Sequence, residues 1–101
     1  MKEYQVSCIR KSLPEGGHQH ITHIGGIGAS AWCLTKESAI RRIESKEEAF
    51  FTVERQTGKR AYIGVVKEAG KAPYLRTHAD NVWNDNLLAQ PPCPSTHTVI
   101  D

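Results

Sequence analysis

Long apolar runs are missing from this sequence of 101 residues. No stretch approaches the roughly 18 consecutive apolar residues that a membrane-spanning helix requires. The first residues, MKEYQVSCIRKS, lack the apolar core of a secretory signal peptide. We therefore expect a soluble, cytoplasmic protein that does not bind a membrane.

Cysteine is also scarce. The three cysteines, Cys8, Cys33 and Cys93, are widely spaced and form no C-x-x-C pair. An odd number without paired spacing is not typical of the disulfide frameworks of small secreted proteins. We predict reduced thiols and, for the same reason, an intracellular location.

Large apolar side chains are few, because Leu, Ile, Val and Phe account for only 21 of the 101 residues. A chain of this length and composition supports one domain with a thin core. We predict a single α+β domain over residues 1–93 and an extended or disordered tail over residues 94–101, where prolines cluster. The formal net charge of +2 does not by itself demand a polyanionic partner.

Short apolar stretches separated by turn residues predict the secondary structure. Segments such as AFFTVE and RAYIGVVKE are typical of strands joined by a hairpin. Thr35 is a candidate N-cap, and the apolar stripe of Ala39, Ile40 and Ile43 predicts a short helix over about residues 35–45. We expect this helix to pack on a mainly antiparallel sheet of about five or six short strands, without parallel crossovers.

Several segments resemble a small, mostly bacterial family catalogued as domain of unknown function 3892. The resemblance extends from Tyr4 to Cys93 and is most specific in HITHIGG, in LRT with the following AD, and in DNLLAQPPC. It implies no particular activity. The sequence departs from the family pattern at two places. Asn81 follows Ala79-Asp80, where the family has glycine. Pro92 directly precedes Cys93, whereas the family has an acidic residue between the proline and the cysteine. Asn81 tolerates a left-handed backbone, so the turn is retained.

Three histidines and three glycines lie close together in HQHITHIGGIG, which raises the question of a metal site. On an extended strand His18 and His20 would project to one face and His23 to the other. A zinc site could instead combine distant residues, because imidazole and thiolate are preferred zinc ligands. We keep zinc as an alternative, with the candidate ligands Cys8, His20, His23 and Cys93; otherwise no cofactor is expected.

The glycines do not form a recognised phosphate-binding motif. Gly25, Gly26 and Gly28 spell G-G-x-G, which is neither the dinucleotide fingerprint nor a Walker loop, and the predicted helix starts well after them. We expect them to break the strand that precedes them and to form a strand-to-turn corner.

A catalytic site can also be imagined. A thiol of Cys33 or Cys93 would need a base and an orienting group such as His23, His78 or Asp80, and Asp80 with Asp85 could form a carboxylate pair. Asp and Asn in HADNVWNDN are more typical of turns. We predict no catalysis.

Basic and aromatic residues alternate along two predicted hairpins, where Tyr62, Tyr74 and Trp83 lie between cations. Glu54 and Glu68 reduce the positive charge of this region. Cations neutralise phosphates and aromatic faces stack on unpaired bases. The leading hypothesis is that the protein is a small binding module that contacts nucleic acid. Alternatively, the domain binds another protein or has a purely structural accessory role. The candidate nucleic-acid-binding residues are Lys59, Arg60, Lys71, Tyr74, Arg76 and Trp83.

Overall fold

The computed structural model describes residues 2–13, 15–28 and 30–100. This part of the chain folds into two sheets and one α-helix, so the predicted α+β class is confirmed, with more strands than the five or six expected. The elements in chain order are β1 (Lys2–Gln5), β2 (Cys8–Lys11), a 3₁₀ turn (His18–His20), β3 (Ile21–Ile27), β4 (Ala31–Thr35), α1 (Lys36–Glu44), β5 (Glu48–Val53), β6 (Arg60–Val66), β7 (Tyr74–Ala79), β8 (Val82–Asn84) and β9 (Thr98–Val99).

The five-stranded sheet has the order β1-β5-β6-β7-β8, and the four-stranded sheet has the order β2-β3-β4-β9. Hairpins make β5 to β8 antiparallel, as expected, but β1 pairs with β5 and β4 pairs with β9 in parallel. The expectation of no parallel crossover was wrong. Three strands and α1 lie between β1 and β5 in the chain, and together they supply the long connection that a parallel pair needs.

The helix begins where the sequence predicts. Thr35 is its N-cap, since the hydroxyl accepts a hydrogen bond from the Ser38 N–H at 3.2 Å. Ala39 and Ile40 are buried and pack into the core between the two sheets. None of the described helical segments is long and apolar enough to cross a membrane.

The core is built from residues on the facing sides of both sheets and on α1. Leu87 reaches it from the segment after β8, where its N–H donates to the hydroxyl of buried Thr77 at 3.1 Å. The buried apolar residues that form the core are Val6, Ile9, Ile21, Ile24, Leu34, Ala39, Ile40, Phe50, Ile63, Leu75 and Leu87.

The chain crosses from one sheet to the other between β1 and β2. The Val6 N–H donates to Phe51 O at 2.7 Å in one sheet, and the Ser7 N–H donates to Gly25 O at 2.9 Å in the other. A Cβ on Gly26 would collide with Gln5 O. The prediction that the glycines break the strand was therefore wrong for Gly25 and Gly26, which lie inside β3, while Gly28 follows its end. The missing side chain of Gly26 admits the crossing chain.

Cys8 and Cys93 form a disulfide, so the prediction of reduced thiols was wrong for these two residues. The segment before Cys93 lies beside β2, where the Cys93 N–H donates to Ile9 O at 2.9 Å and the Ile9 N–H donates to Pro91 O at 3.0 Å. This backbone pairing brings together two sulfurs that are 85 residues apart in sequence. Cys33 is a buried free thiol.

The segment after Cys93 is more ordered than we expected. Its β9 strand pairs with β4, and His97 is buried. Arg10 Nη2 donates to Pro94 O at 3.2 Å and to His97 O at 3.0 Å. These contacts and the disulfide hold residues 93–99 against the four-stranded sheet, which the proline content alone did not indicate.

Gly25→Ala tests the close packing under the disulfide. A Cβ at Gly25 would lie 2.8 Å from Cys93 Sγ and 2.9 Å from Cys8 Sγ, so we expect a loss of about 2–4 kcal/mol in unfolding free energy. Gly28→Ala is the matched control, because a Cβ there meets no atom within 4 Å. Denaturant unfolding of both variants measures the difference, and equal stabilities would contradict the packing described above.

Removing the disulfide should loosen the C-terminal segment. A bridge that closes so long a loop contributes about 2–4 kcal/mol, so we expect the double variant Cys8→Ser/Cys93→Ser to unfold at lower denaturant concentration. Hydrogen exchange should also accelerate at the Ile100 amide, which donates to Cys33 O at 2.9 Å. Cys33→Ala keeps the bridge and serves as control. Unchanged protection at Ile100 in the double variant would show that the disulfide does not anchor this segment.

Candidate functional site

The outer face of the five-stranded sheet carries a row of aromatic rings. Phe51 pairs with Tyr62, Tyr62 with His78, and His78 with Trp83 in successive strand registers. Residues paired across neighbouring strands project to the same face, so these four side chains form one line across β5, β6, β7 and β8. We call this line the aromatic row. The opposite face carries buried residues such as Ala61 and Leu75.

The rings of the aromatic row make contact in two pairs. Phe51 and Tyr62 have ring centroids 5.9 Å apart, and His78 meets Trp83 edge to face at 5.4 Å. Gly64 lies beneath the Trp83 ring, since a Cβ there would be 3.1 Å from its carbons. Trp83 remains 42% exposed and offers the most accessible ring of the row. The result is a shallow aromatic surface rather than a pocket.

Arg60 borders the aromatic row at β5 and β6. Its guanidinium lies 4.2 Å above the Phe51 ring and donates to Glu3 Oε1 at 3.1 Å. The Tyr62 hydroxyl donates to the same oxygen at 3.0 Å. Stacking and hydrogen bonding therefore orient Arg60 along the face of the sheet, where it also covers most of Phe51.

Arg76 occupies a similar position on β7. Its Nε donates to Asn84 O at 3.2 Å and its Nη2 to Asp85 Oδ1 at 3.0 Å. Strand alternation places Arg76 on the same face as Arg60, two residues from His78. The face thus presents two arginines, each oriented by one carboxylate.

The two candidate lysines lie in turns at opposite ends of β6. Lys59 precedes the strand, and Lys71 follows it with its Nζ 3.3 Å from Glu68 Oε2. The Tyr74 hydroxyl donates to Glu68 Oε1 at 2.9 Å. This hydrogen bond, followed by Lys71, lowers the pKa of Glu68. The same hydrogen bond raises the pKa of Tyr74, while the charges of Arg76 and Lys71 oppose that shift. The structure therefore brings Arg60, Tyr74, Arg76 and Trp83 to one face and leaves the lysines at its ends.

Sequence reasoning missed two members of the aromatic row. Phe51 was assigned only to a strand, and His78 was considered only as a catalytic base. The alternation within AFFTVE and YLRTHAD indicates which side of its strand each of these two residues occupies. The register that aligns them with Tyr62 and Trp83 depends on pairing between strands, which the local sequence pattern does not show.

His18 lies at the edge of β7 beside the aromatic face. The 3₁₀ turn, found where an extended strand had been considered, brings His18 Nε2 within 3.2 Å of Asp85 Oδ1. Its ring centroid is 6.4 Å from that of Tyr74. Burial, together with the charge of Arg76, lowers the pKa of His18, while Asp85 opposes the shift.

The candidate zinc ligands are not assembled. The sulfurs of Cys8 and Cys93 are bonded to each other, and a disulfide offers no thiolate. His20 Nδ1 lies 3.3 Å from Ser12 Oγ, and His23 Nδ1 lies 2.8 Å from Thr22 Oγ1. Within the described ranges no three His, Cys, Asp or Glu side chains converge on a metal-sized site. Zinc binding by the reduced chain stays a prediction.

The imagined catalytic residues do not come together as one set, although His23 and Cys33 lie on the paired strands β3 and β4. Cys33 and His78 lie in different sheets, and burial raises the pKa of the Cys33 thiol, which is opposite to the activation that a nucleophile needs. Asp80 and Asn81 have φ angles of 53° and 64° and form the two-residue turn between β7 and β8. Asp80 therefore acts as a turn residue, as its surroundings in the sequence indicated.

Comparison with known proteins identifies the family of this chain. A family model described as protein of unknown function (DUF3892) matches residues 5–91. The chain belongs to this family. No curated protein and no solved structure matches it.

Titration of His18 provides a test of the local electrostatics. Because the folded-state pKa lies below the ordinary value of 6.5, the unfolded chain binds the proton more readily, and stability should fall as the pH drops below 6.5. NMR titration should give a pKa below 6.5 for the His18 imidazole. Asp85→Asn should lower this pKa further and Arg76→Gln should raise it. Shifts in the same direction for both variants would contradict the arrangement.

Proposed function

We propose that this protein is a non-catalytic module that binds single-stranded nucleic acid on the outer face of its five-stranded sheet. The observation that carries the proposal is the aromatic row, which aligns rings from four adjacent strands on one face of the sheet and leaves the Trp83 ring exposed. Aromatic side chains bind unpaired bases by stacking, which contributes about 1–3 kcal/mol per base and tolerates any sequence.

The charges around the row suit a phosphate backbone. Arg60 and Arg76 border the rings, and Lys59 and Lys71 lie at the two ends of β6. A nucleic-acid strand lying across the sheet would place its phosphate oxygens against the two arginines. The phosphates would then replace the carboxylates of Glu3 and Asp85 as hydrogen-bond partners. The formal net charge of +2 favours such binding only weakly, so stacking must supply much of the affinity.

The shape of the surface favours single strands over duplexes. A duplex is read by a helix or a β-ribbon that enters a groove, whereas this face is shallow and its helix packs on the opposite side, against buried Phe50 and Ile63. Exposed rings gain contacts only with bases that are unstacked. We therefore expect duplexes of equal length to bind more weakly than single strands.

Trp83→Ala tests the stacking contribution. We expect it to weaken binding of a fluorescein-labelled single strand of about 10 nucleotides by about 10-fold, measured by fluorescence anisotropy at about 50 mM salt. Val82→Ala is the matched control, because Val82 is 64% exposed on the same strand and is not part of the row. Comparing the affinities for thymidine and uridine oligomers shows whether the protein prefers DNA or RNA. If wild-type protein binds neither oligomer, or if both variants bind alike, the proposal fails.

Substitutions at the Arg60–Glu3 pair should act in opposite directions. Arg60→Gln removes a phosphate contact and should weaken binding, whereas Glu3→Gln removes the competing carboxylate and should strengthen it by a few-fold. Lys46→Gln removes the same charge in the turn after α1 and should leave affinity nearly unchanged. Weaker binding after Glu3→Gln would contradict the exchange of carboxylate for phosphate.

A further inference from the structure

A second candidate site lies away from the aromatic row, between the edges of the two sheets. A cavity of about 220 Å³ opens where β1 and β5 of one sheet face β4 of the other. Its walls come from both sheets, α1, the loop before β4 and the residue after β9. The lining residues are Tyr4, Ser30, Trp32, Leu34, Arg42, Glu48, Phe50 and Ile100.

Three aromatic rings form the apolar part of this cavity. Trp32 and Phe50 have ring centroids 5.9 Å apart, and Tyr4 lies 6.1 Å from Trp32 and 6.0 Å from Phe50. Phe50 and Leu34 are almost fully buried and anchor the cavity to the core. The three rings therefore pack against one another, and a planar ligand ring in the cavity could make the same kind of edge-to-face or offset contact with them.

The charged groups of the cavity neutralise each other. Arg42 Nη1 donates to Glu48 Oε1 at 2.6 Å, and both side chains are largely buried. A charged ligand would lose its hydration on entering the cavity. It would gain no ion pair in return, because the charges in the cavity already pair with each other. The cavity therefore favours a neutral ligand, whose polar group can lie beside the ion pair or the exposed Ser30.

Size narrows the class of ligand further. A cavity of about 150 Å³ accommodates benzene, and typical drug-sized sites begin at about 300 Å³. At about 220 Å³ this cavity lies between the two. We propose that it binds a neutral, planar aromatic molecule of one or two rings that carries a single polar group.

The test uses indole as the probe and the two tryptophan side-chain N–H signals as reporters. In ¹⁵N-labelled protein, Trp83→Phe assigns the remaining indole signal to Trp32. We expect indole to shift the Trp32 signal saturably at submillimolar concentration and to leave Trp83 unchanged. Indole-3-carboxylate and tryptamine, which add a negative and a positive charge, should each bind at least several-fold more weakly.

Ser30→Phe tests whether the cavity itself is the site. Ser30 is exposed at the rim, so a larger side chain can fill the opening without entering the core. We expect this variant to lose the indole-induced shift of Trp32 while its Trp83 signal stays at the wild-type position, which reports an intact fold. Val82→Ala, remote from the cavity, should bind indole like the wild type.

Three results would overturn the proposal. These are no saturable shift of Trp32, equal shifts of Trp32 and Trp83, or unchanged indole binding in folded Ser30→Phe protein. Tighter binding of either charged analogue would overturn its neutral-ligand part. None of these results depends on nucleic-acid binding, because the aromatic row lies on the opposite face of the five-stranded sheet.

Discussion

The close approach of residues Gln5–Ser7 to Gly25 and Gly26 is the constraint on which the fold depends. Two consecutive N–H groups, those of Val6 and Ser7, donate to different sheets, so the chain passes from one sheet to the other within two residues. The approach requires a glycine at position 26, where a side chain would collide with Gln5 O, and a glycine at position 25 leaves room for the neighbouring disulfide. Val6 is buried at the junction, where both sheets begin to share one core.

This junction gives the two sheets unequal outer faces. On the four-stranded sheet, the segment after Pro92 covers the face that carries Gly25 and Cys33, and the Cys8–Cys93 disulfide holds it there. Among the described residues no segment is fastened in this way over the outer face of the five-stranded sheet, where Trp83 remains 42% exposed. An exposed aromatic surface on a small domain usually serves binding, and this asymmetry is why the candidate interface lies on the five-stranded sheet.

Local signals in the sequence predicted the parts of the fold that depend on neighbouring residues. The Thr35 cap, the apolar stripe of α1 and the hairpins of the five-stranded sheet were found this way. Contacts between distant segments were not. The bridge from Cys8 to Cys93 and the alignment of the aromatic row both depend on register and topology, which a one-dimensional pattern does not contain. The glycines were recognised as backbone features, but the sequence did not indicate that Gly26 admits the chain at Gln5, which lies in a different sheet.

Because each arginine beside the aromatic row already pairs with a carboxylate, stacking should contribute more to the binding energy than phosphate contacts. Exposed ion pairs such as Arg60–Glu3 are worth about 0–1 kcal/mol, so exchanging a carboxylate for a phosphate yields little net energy. Stacking on an accessible ring such as Trp83 contributes about 1–3 kcal/mol per base and has no competing intramolecular partner of comparable strength. A ligand on this face would therefore be held mainly by its bases and positioned by its phosphates. The proposed module differs in this respect from strongly basic nucleic-acid-binding domains, in which charge supplies most of the affinity.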